Sequence, residues 1–360
     1  MNDTKNLILA VVLSAVVLLG WTWVANRYFP TANPPAAKVV NGKQKPVQQP
    51  QSQPSATAAP KAAKTVSAAL ASSPRVAIRT PSLVGSINLK GAQIDDLLLV
   101  NEKQTIAADS PPVRLLSPLG APGAYIAEFG WTAQGAQVPT LDTMWTADSQ
   151  QLSPGHPVTL TTQMPDGTRY QVRIAIDNGY LFTVEQSVAN GTGKPISVRP
   201  IGLVSRAGES ADKSTWTNHV GPIGVFDGKA DYDVNWKDLD KNGSVSFAST
   251  TGWLGFTDKY WLTALIPSGD VSASFVRSPS GGYQADYASP MATVVPGQVL
   301  TANARLFAGA KEKSWLDQYE SMGIPKFTKA IDWGWFEFFM RPIFDLLMFL
   351  FHTFGNFPPR

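Results

Sequence analysis

The stretch Thr168-Arg-Tyr-Gln-Val-Arg-Ile-Ala-Ile-Asp-Asn-Gly-Tyr-Leu-Phe-Thr-Val-Glu-Gln-Ser-Val188 decides the fold class. Tyr170, Val172, Ile174 and Ile176 alternate with polar or small residues on its first arm, and Phe182, Val184 and Val188 do so on its second. Successive side chains on a strand point to opposite faces, so each arm has one apolar and one wet face. Asn178-Gly179 between them is the composition that supplies positive φ angles to a tight hairpin. An antiparallel hairpin with one buried face belongs to a sandwich rather than to a parallel sheet.

Working outward, the same turn chemistry recurs at Asp166-Gly167, Asn190-Gly191, Asp227-Gly228 and Asn242-Gly243. Val76, Ile78, Val84, Ile87, Leu89, Ile94 and Leu97–Val100 mark further strands upstream. No convincing helix and no fixed-period repeat interrupts this region, so residues 74–308 read as one large antiparallel β-sandwich and not a propeller. The whole-chain composition agrees with a mainly β fold. The 360 residues include 29 Gly and 28 Pro, which disfavours a helical bundle. Only 16% are charged, against about 25% in an average soluble domain, which rules out a mostly disordered chain. The net charge of +3 is too small for a nucleic-acid binder, and the absence of cysteine excludes a disulfide scaffold, a zinc ribbon and thiol catalysis.

Both flanks of the sandwich differ from it. Within residues 1–30, Leu7 to Val24 is interrupted only by Ser14, Gly20 and Thr22, and as a helix it spans roughly 27 Å of a ~30 Å hydrocarbon core. Its apolar run exceeds the ~7–15 residues of a signal-peptide core, and no small-x-small cleavage site follows, so an uncleaved transmembrane anchor is preferred to a cleaved signal. Trp21, Trp23, Tyr28 and Phe29 fit an aromatic belt at its far end. Residues 31–73 hold Pro34, Pro35, Pro46, Pro50, Pro54 and Pro60, five lysines, and neither an acidic nor an aromatic residue. Such a segment buries too little apolar area to offset its ordering entropy and reads as a disordered spacer. Contact of its lysines with anionic headgroups is the alternative.

Residues 309–357 turn helical. Trp315, Leu316, Tyr319 and Met322 share a helical face, and Gly323-Ile324-Pro325 ends it. Phe327 to Phe357 then carries eleven aromatic residues in 31, Trp333 and Trp335 among them. Glu337, Arg341, Asp345 and His352 fall on one narrow stripe of a helix, with two i,i+4 pairs of opposite charge. Three charges would cost roughly 8–10 kcal/mol at mid-bilayer against about 3–6 kcal/mol from ten apolar residues. The segment is therefore expected to lie in the membrane interface and not to span, with Pro342 kinking it near its start. A stripe capping the sandwich core is the alternative.

Candidate chemistry within the sandwich is sparse. His156 sits in a turn composition and His219 is far from it in sequence. Asp95-Asp96 are adjacent on a strand and should face opposite ways, which weakens a paired-carboxylate reading. No G-x-S-x-G, H-E-x-x-H or phosphate-cradling loop occurs, and no cofactor or metal is expected. Trp253, Tyr260 and Trp261 are either core or a partner-facing edge. A membrane-tethered sandwich binding carbohydrate or lipid, and a sugar-acting sandwich enzyme, are the alternatives these residues leave open.

Five stretches carry a resemblance: Gly85-Ser-Ile-Asn-Leu-Lys-Gly-Ala-Gln-Ile-Asp-Asp-Leu97, Gly221-Pro-Ile-Gly224, Gly252-Trp-Leu-Gly-Phe-Thr-Asp-Lys-Tyr-Trp261, Leu306-Phe-Ala-Gly-Ala-Lys311 and Ile331-Asp-Trp-Gly-Trp-Phe336. In this order the chain resembles the bacterial YidC membrane-protein insertases. The resemblance implies an inner-membrane anchor with a cytoplasmic N-terminus, a periplasmic β-supersandwich and an amphipathic helix on the periplasmic surface. It implies a non-enzymatic insertase and chaperone, with membrane lipid, nascent membrane proteins and the Sec translocon with its accessory subunits as partners. The family's five-helix bundle and its groove arginine have no counterpart before Pro358-Pro359-Arg360. Residues 358–360 are accordingly expected to be a truncated end, and the 360 residues alone are expected not to insert a substrate.

Overall fold

A computed structural model describes residues 65–107, 109–212, 218–279, 281–332 and 337–354. The expected anchor at Leu7–Val24 and most of the expected spacer lie outside the described residues. The spacer's last residues depart from expectation: Val66–Leu70 (α1) forms a one-turn helix, whose N-cap Thr65 accepts a hydrogen bond from the Ala68 N–H.

In chain order the first strands are β1 Arg75–Arg79, β2 Leu83–Asn88, β3 Gln93–Lys103, β4 Pro112–Leu116 and β5 Tyr125–Gln134. Then come β6 Thr146–Ala147, β7 Gln151–Leu152, β8 Val158–Gln163, β9 Arg169–Ile176 and β10 Leu181–Ala189. They are followed by β11 Ile196–Arg206, β12 Gly221–Phe226, β13 Lys229–Asp231, β14 Ser244–Thr250 and β15 Gly252–Thr257. The last five are β16 Trp261–Pro267, β17 Val271–Arg277, β18 Tyr283–Ala288, β19 Ala292–Val294 and β20 Val299–Ala310. One sheet runs β14-β17-β18-β11-β5-β3-β2-β1-β7, with β19 on β11 and β4 on β3; the other runs β13-β12-β15-β16-β20-β10-β9-β8-β6. Pairing is antiparallel except where β1 meets β7 through Ala77 and Ile78.

The two sheets face each other across one core. Phe226 of β12 stacks on Phe247 of β14 at 3.7 Å, Phe256 of β15 meets Phe275 of β17 at 6.2 Å, and Trp131 of β5 meets Tyr170 of β9 at 4.9 Å. The 168–188 hairpin forms in the expected register, with Val184 opposite Ile174 and Phe182 opposite Ile176. Its turn is built differently from the expectation, since neither Asn178 nor Gly179 has a positive φ. Asp177 Oδ1 accepts hydrogen bonds from the Gly179 and Leu181 N–H groups and folds the loop back instead. Asp227-Gly228 does follow the expectation, with φ 49° and 74° between β12 and β13.

Three further departures have local causes. Trp236–Asn242 (α2) is a helix inside the sandwich, opened by a reciprocal capping box between Asn235 and Asp238. A bulge in the β2–β3 pairing leaves Asp95 as an extra residue between Ile94 and Asp96. It joins two carboxylates that simple alternation would separate: Arg75 binds Asp95 and also Ser86 Oγ, which donates to Asp96, and Asp96 binds Arg114. Each carboxylate thus has its own guanidinium, the composition of a structural network. Finally, β12 and nearly all of β15 and β16 are buried on both faces; on β15, Trp253 is covered by Pro325 and Phe327 of the helical segment after β20.

That segment is Lys313–Ser321 (α3), a Gly323 stop with φ 90°, and a 3-10 turn at Phe327–Ala330. The Ile324 N–H reaches back to the Tyr319 carbonyl, as in a Schellman ending. Leu316, Tyr319, Ile324, Phe327 and Ala330 belong to the same buried cluster as the strands. Met322, expected on the buried face, caps α3 and is exposed.

Candidate membrane-facing surface and its neighbouring cavity

Glu337–Phe354 (α4) is a continuous helix that contains Pro342. It carries Phe338, Phe339, Met340, Ile343, Leu346, Leu347, Met348, Phe349 and Leu350, each 38–62% exposed. At roughly 100 Å² of exposed surface apiece they leave on the order of 900 Å² of apolar surface uncovered, above the ~300–600 Å² of an ordinary monomer's largest patch. At 3.6 residues per turn, positions 337, 341, 345 and 352 lie within one arc and Ile343 and Leu350 lie opposite it. Arg341 reaches Asp317 of α3 at 3.5 Å, and Asp317 also pairs with Lys313 at 2.7 Å. Trp333 and Trp335 lie outside the described residues, as do the side chains of Glu337, Asp345 and His352. Among the described residues, no helix is long and apolar enough to cross a membrane.

Trp253, Tyr260 and Trp261 separate into different environments. Trp253 is fully buried; its Nε1–H donates to the Pro325 carbonyl at 3.0 Å and its ring meets Phe327 edge-on. It therefore fastens the post-strand segment to the sheet. Tyr260 is 57% exposed in the β15–β16 turn, with Trp261 half-buried against it at 6.0 Å. These last two line a cavity of about 770 Å³ that also takes in Glu102, Lys259, Lys311, Glu312 and Ile331. Lys311 Nζ donates to Thr257 Oγ1 at 2.9 Å, and burial pulls its ammonium down to about 8 although Asp258, Asp332 and Asp212 act in the opposite direction. Glu102 is pushed above the ordinary carboxylate range by burial and then by the charge of Glu312, which accepts a 2.7 Å hydrogen bond from Tyr180. Little in the sequence marks this cavity. Its one visible signal was a lysine ending the apolar run Leu306–Ala310.

The two histidines do not contribute to it. His156 is exposed, whereas half-buried His219 is bonded to the Pro222 carbonyl at 2.7 Å and held below the usual imidazole range by burial. Among the described residues, no three His, Asp or Glu side chains group as metal ligands.

Residues 75–346, from β1 into α4, match the model of the YidC periplasmic domain. The chain belongs to the YidC family. Relatives named membrane protein insertase YidC match along nearly the whole chain: that of Zymomonas mobilis is 38% identical over 99% of this chain and 62% of its own length. Those of Bradyrhizobium diazoefficiens and Rickettsia bellii are 38% and 36% identical, each over 99% of this chain and 64% of the relative. This YidC chain thus spans somewhat under two thirds of the relatives' length. Among solved structures, a putative aldose 1-epimerase from Escherichia coli K12 superposes with a TM-score of 0.42 and 11% identity, over 66% of this chain and 99% of that one. A likeness at that level says nothing of chemistry. The YidC relatives do not favour the carbohydrate- or lipid-module reading or the sugar-enzyme reading.

Proposed function

We propose that this chain is the membrane-anchored periplasmic part of an insertase that assists the insertion and folding of inner-membrane proteins. The observation that carries this is the 36–38% identity, over 99% of the chain, to proteins named as YidC insertases. In this reading Leu7–Val24 anchors the chain with its N-terminus in the cytoplasm, and residues 31–73 tether a sandwich that stands in the periplasm. The amphipathic helix α4 rests on the membrane surface with the 337–341–345–352 stripe toward water. Trp333 and Trp335 sit at the headgroup level, where aromatic rings with a polar edge are favoured. The sandwich supports substrate insertion and docks partners, the Sec translocon and its accessory subunits among them, with exposed Tyr260 at a partner-facing edge.

The test is complementation. A chimera joining these 360 residues to the remaining C-terminal part of the Zymomonas mobilis relative is expressed in bacteria depleted of their own insertase. Restored membrane-protein insertion is expected. A chimera that reaches the membrane at normal levels but leaves substrates uninserted contradicts the proposal.

A further inference from the structure

The cavity beside Trp261 is lined by charges of both signs, Lys103, Lys259 and Lys311 with Glu102, Asp212 and Glu312. On one side Lys311 holds an ammonium in a desolvated position, and Lys259 stands exposed in the β15–β16 turn. On another, two carboxylates, Glu102 and Glu312, line the same space closely enough for one charge to raise the other. A buried cation favours an incoming anion, and two facing carboxylates favour an incoming cation. A ligand carrying both signs a few ångströms apart answers both demands together. Tyr260 and Trp261 add aromatic surface at the mouth, suited to the apolar shoulder of an amphiphile.

The position of the cavity narrows the choice. Ile331 lines it, and Glu337, where α4 begins, is six positions further along the chain. Six residues span at most about 20 Å. If α4 lies in the headgroup layer, as the functional proposal holds, the cavity is within reach of that layer; the inference rests on that reading for its source of ligand. We propose that this cavity receives the phosphoethanolamine headgroup of a membrane lipid, with its phosphate on Lys311 and Lys259 and its ammonium between Glu102 and Glu312. A primary ammonium has three N–H donors for two carboxylates, whereas a quaternary choline has none. The ethanolamine headgroup is therefore preferred to choline.

The experiment uses the full chain in detergent micelles, labelled with 5-fluorotryptophan, with the Trp261 resonance assigned through Trp261→Phe. Titration with sn-glycero-3-phosphoethanolamine is expected to shift that ¹⁹F signal saturably. sn-Glycerol 3-phosphate, a phosphomonoester with close to two negative charges and no cation, and ethanolamine, a cation alone, should each bind at least about tenfold more weakly, or ~1.4 kcal/mol. Lys311→Met and Glu102→Gln should each weaken the response by a similar factor; Glu102 is at the rim, so its variant tests the idea even if Lys311→Met fails to fold. In proteoliposomes the Trp261 shift should appear with phosphatidylethanolamine and not with phosphatidylcholine. The absence of a saturable shift, or an equal response to glycerol phosphate, overturns the site. A response to the soluble headgroup but not to phosphatidylethanolamine bilayers overturns the lipid assignment. The soluble-headgroup arm does not depend on where α4 lies, so failure of the interfacial reading and failure of the site are separable.

Discussion

Tyr319 shows how much a single buried hydroxyl can hold. It accepts the Tyr180 N–H at 3.0 Å and donates to Asp177 Oδ2 at 2.8 Å, linking α3 to the loop between β9 and β10. Tyr319→Phe keeps the ring but leaves a buried N–H without its partner, which costs about 1–3 kcal/mol. Equilibrium denaturation should show that loss as a lower midpoint at unchanged slope. Two acids give a pH dependence of known sign. Asp286 accepts from Gln284 and Ser274 at 2.7 Å each, and Glu128 accepts from Gln93 at 2.9 Å, yet burial pushes both above the ordinary carboxylate range. The native state then holds protons that the unfolded chain has released, so stability falls as pH rises from the unfolded carboxylate value of about 4 through the raised native values. Thermal melting should show a larger gain on acidification from neutral pH for the native sequence than for Glu128→Gln/Asp286→Asn. Parallel curves for the two proteins would contradict the assignment.

At the scale of elements, the β9–β10 hairpin and α3 are mutually dependent. A Cβ built on Gly179 would lie 2.9 Å from the Trp315 ring and would overlap the Tyr319 hydroxyl. Gly179 is therefore required for close approach and not for the positive turn angle that its Asn-Gly composition suggests. Gly179→Ala should destabilise by about 1–3 kcal/mol through overpacking. Because Tyr319→Phe removes one of the clashing atoms, the double variant should lose measurably less than the sum of the singles, a coupling of about 0.5–3 kcal/mol. Additive losses would mean that the loop and helix do not bear on each other. The same elements explain what could be read from sequence. Strand alternation at Tyr170 to Val188 is a local signal and needed no tertiary knowledge. The capping box at Asn235 and Asp238 is equally local, but the hairpin signals on either side of it mask the short helix it opens. The Asp95 bulge and the Lys311 cavity were not legible, since one depends on cross-strand register and the other on side chains converging from several distant segments. Double-sided burial of β15 is hidden for the same reason: Pro325 and Phe327, more than sixty residues further on, close over Trp253.

For the whole molecule, the question is what covers the apolar side of α4. The chain contains no cysteine, so single cysteines can report on it without competing labels. Ile343 and Leu350 lie seven residues apart at the centre of the apolar arc and are 50% and 39% exposed, while Val299 on β20 is 60% exposed on the sandwich. An environment-sensitive fluorophore on Ile343→Cys or Leu350→Cys in proteoliposomes should emit to the blue and be quenched by lipids brominated on their acyl chains. At Val299→Cys it should do neither. Quenching should persist at high salt, because insertion of an apolar face is not screened, whereas contact made by the five spacer lysines would weaken within a short Debye length. The outcome separates the two fates of an uncovered helix. A blue shift without lipid quenching means that α4 packs on protein, as in the capping alternative. A shift with quenching means that it lies in the bilayer interface, where the adjoining sandwich and its cavity are held within reach of the headgroups.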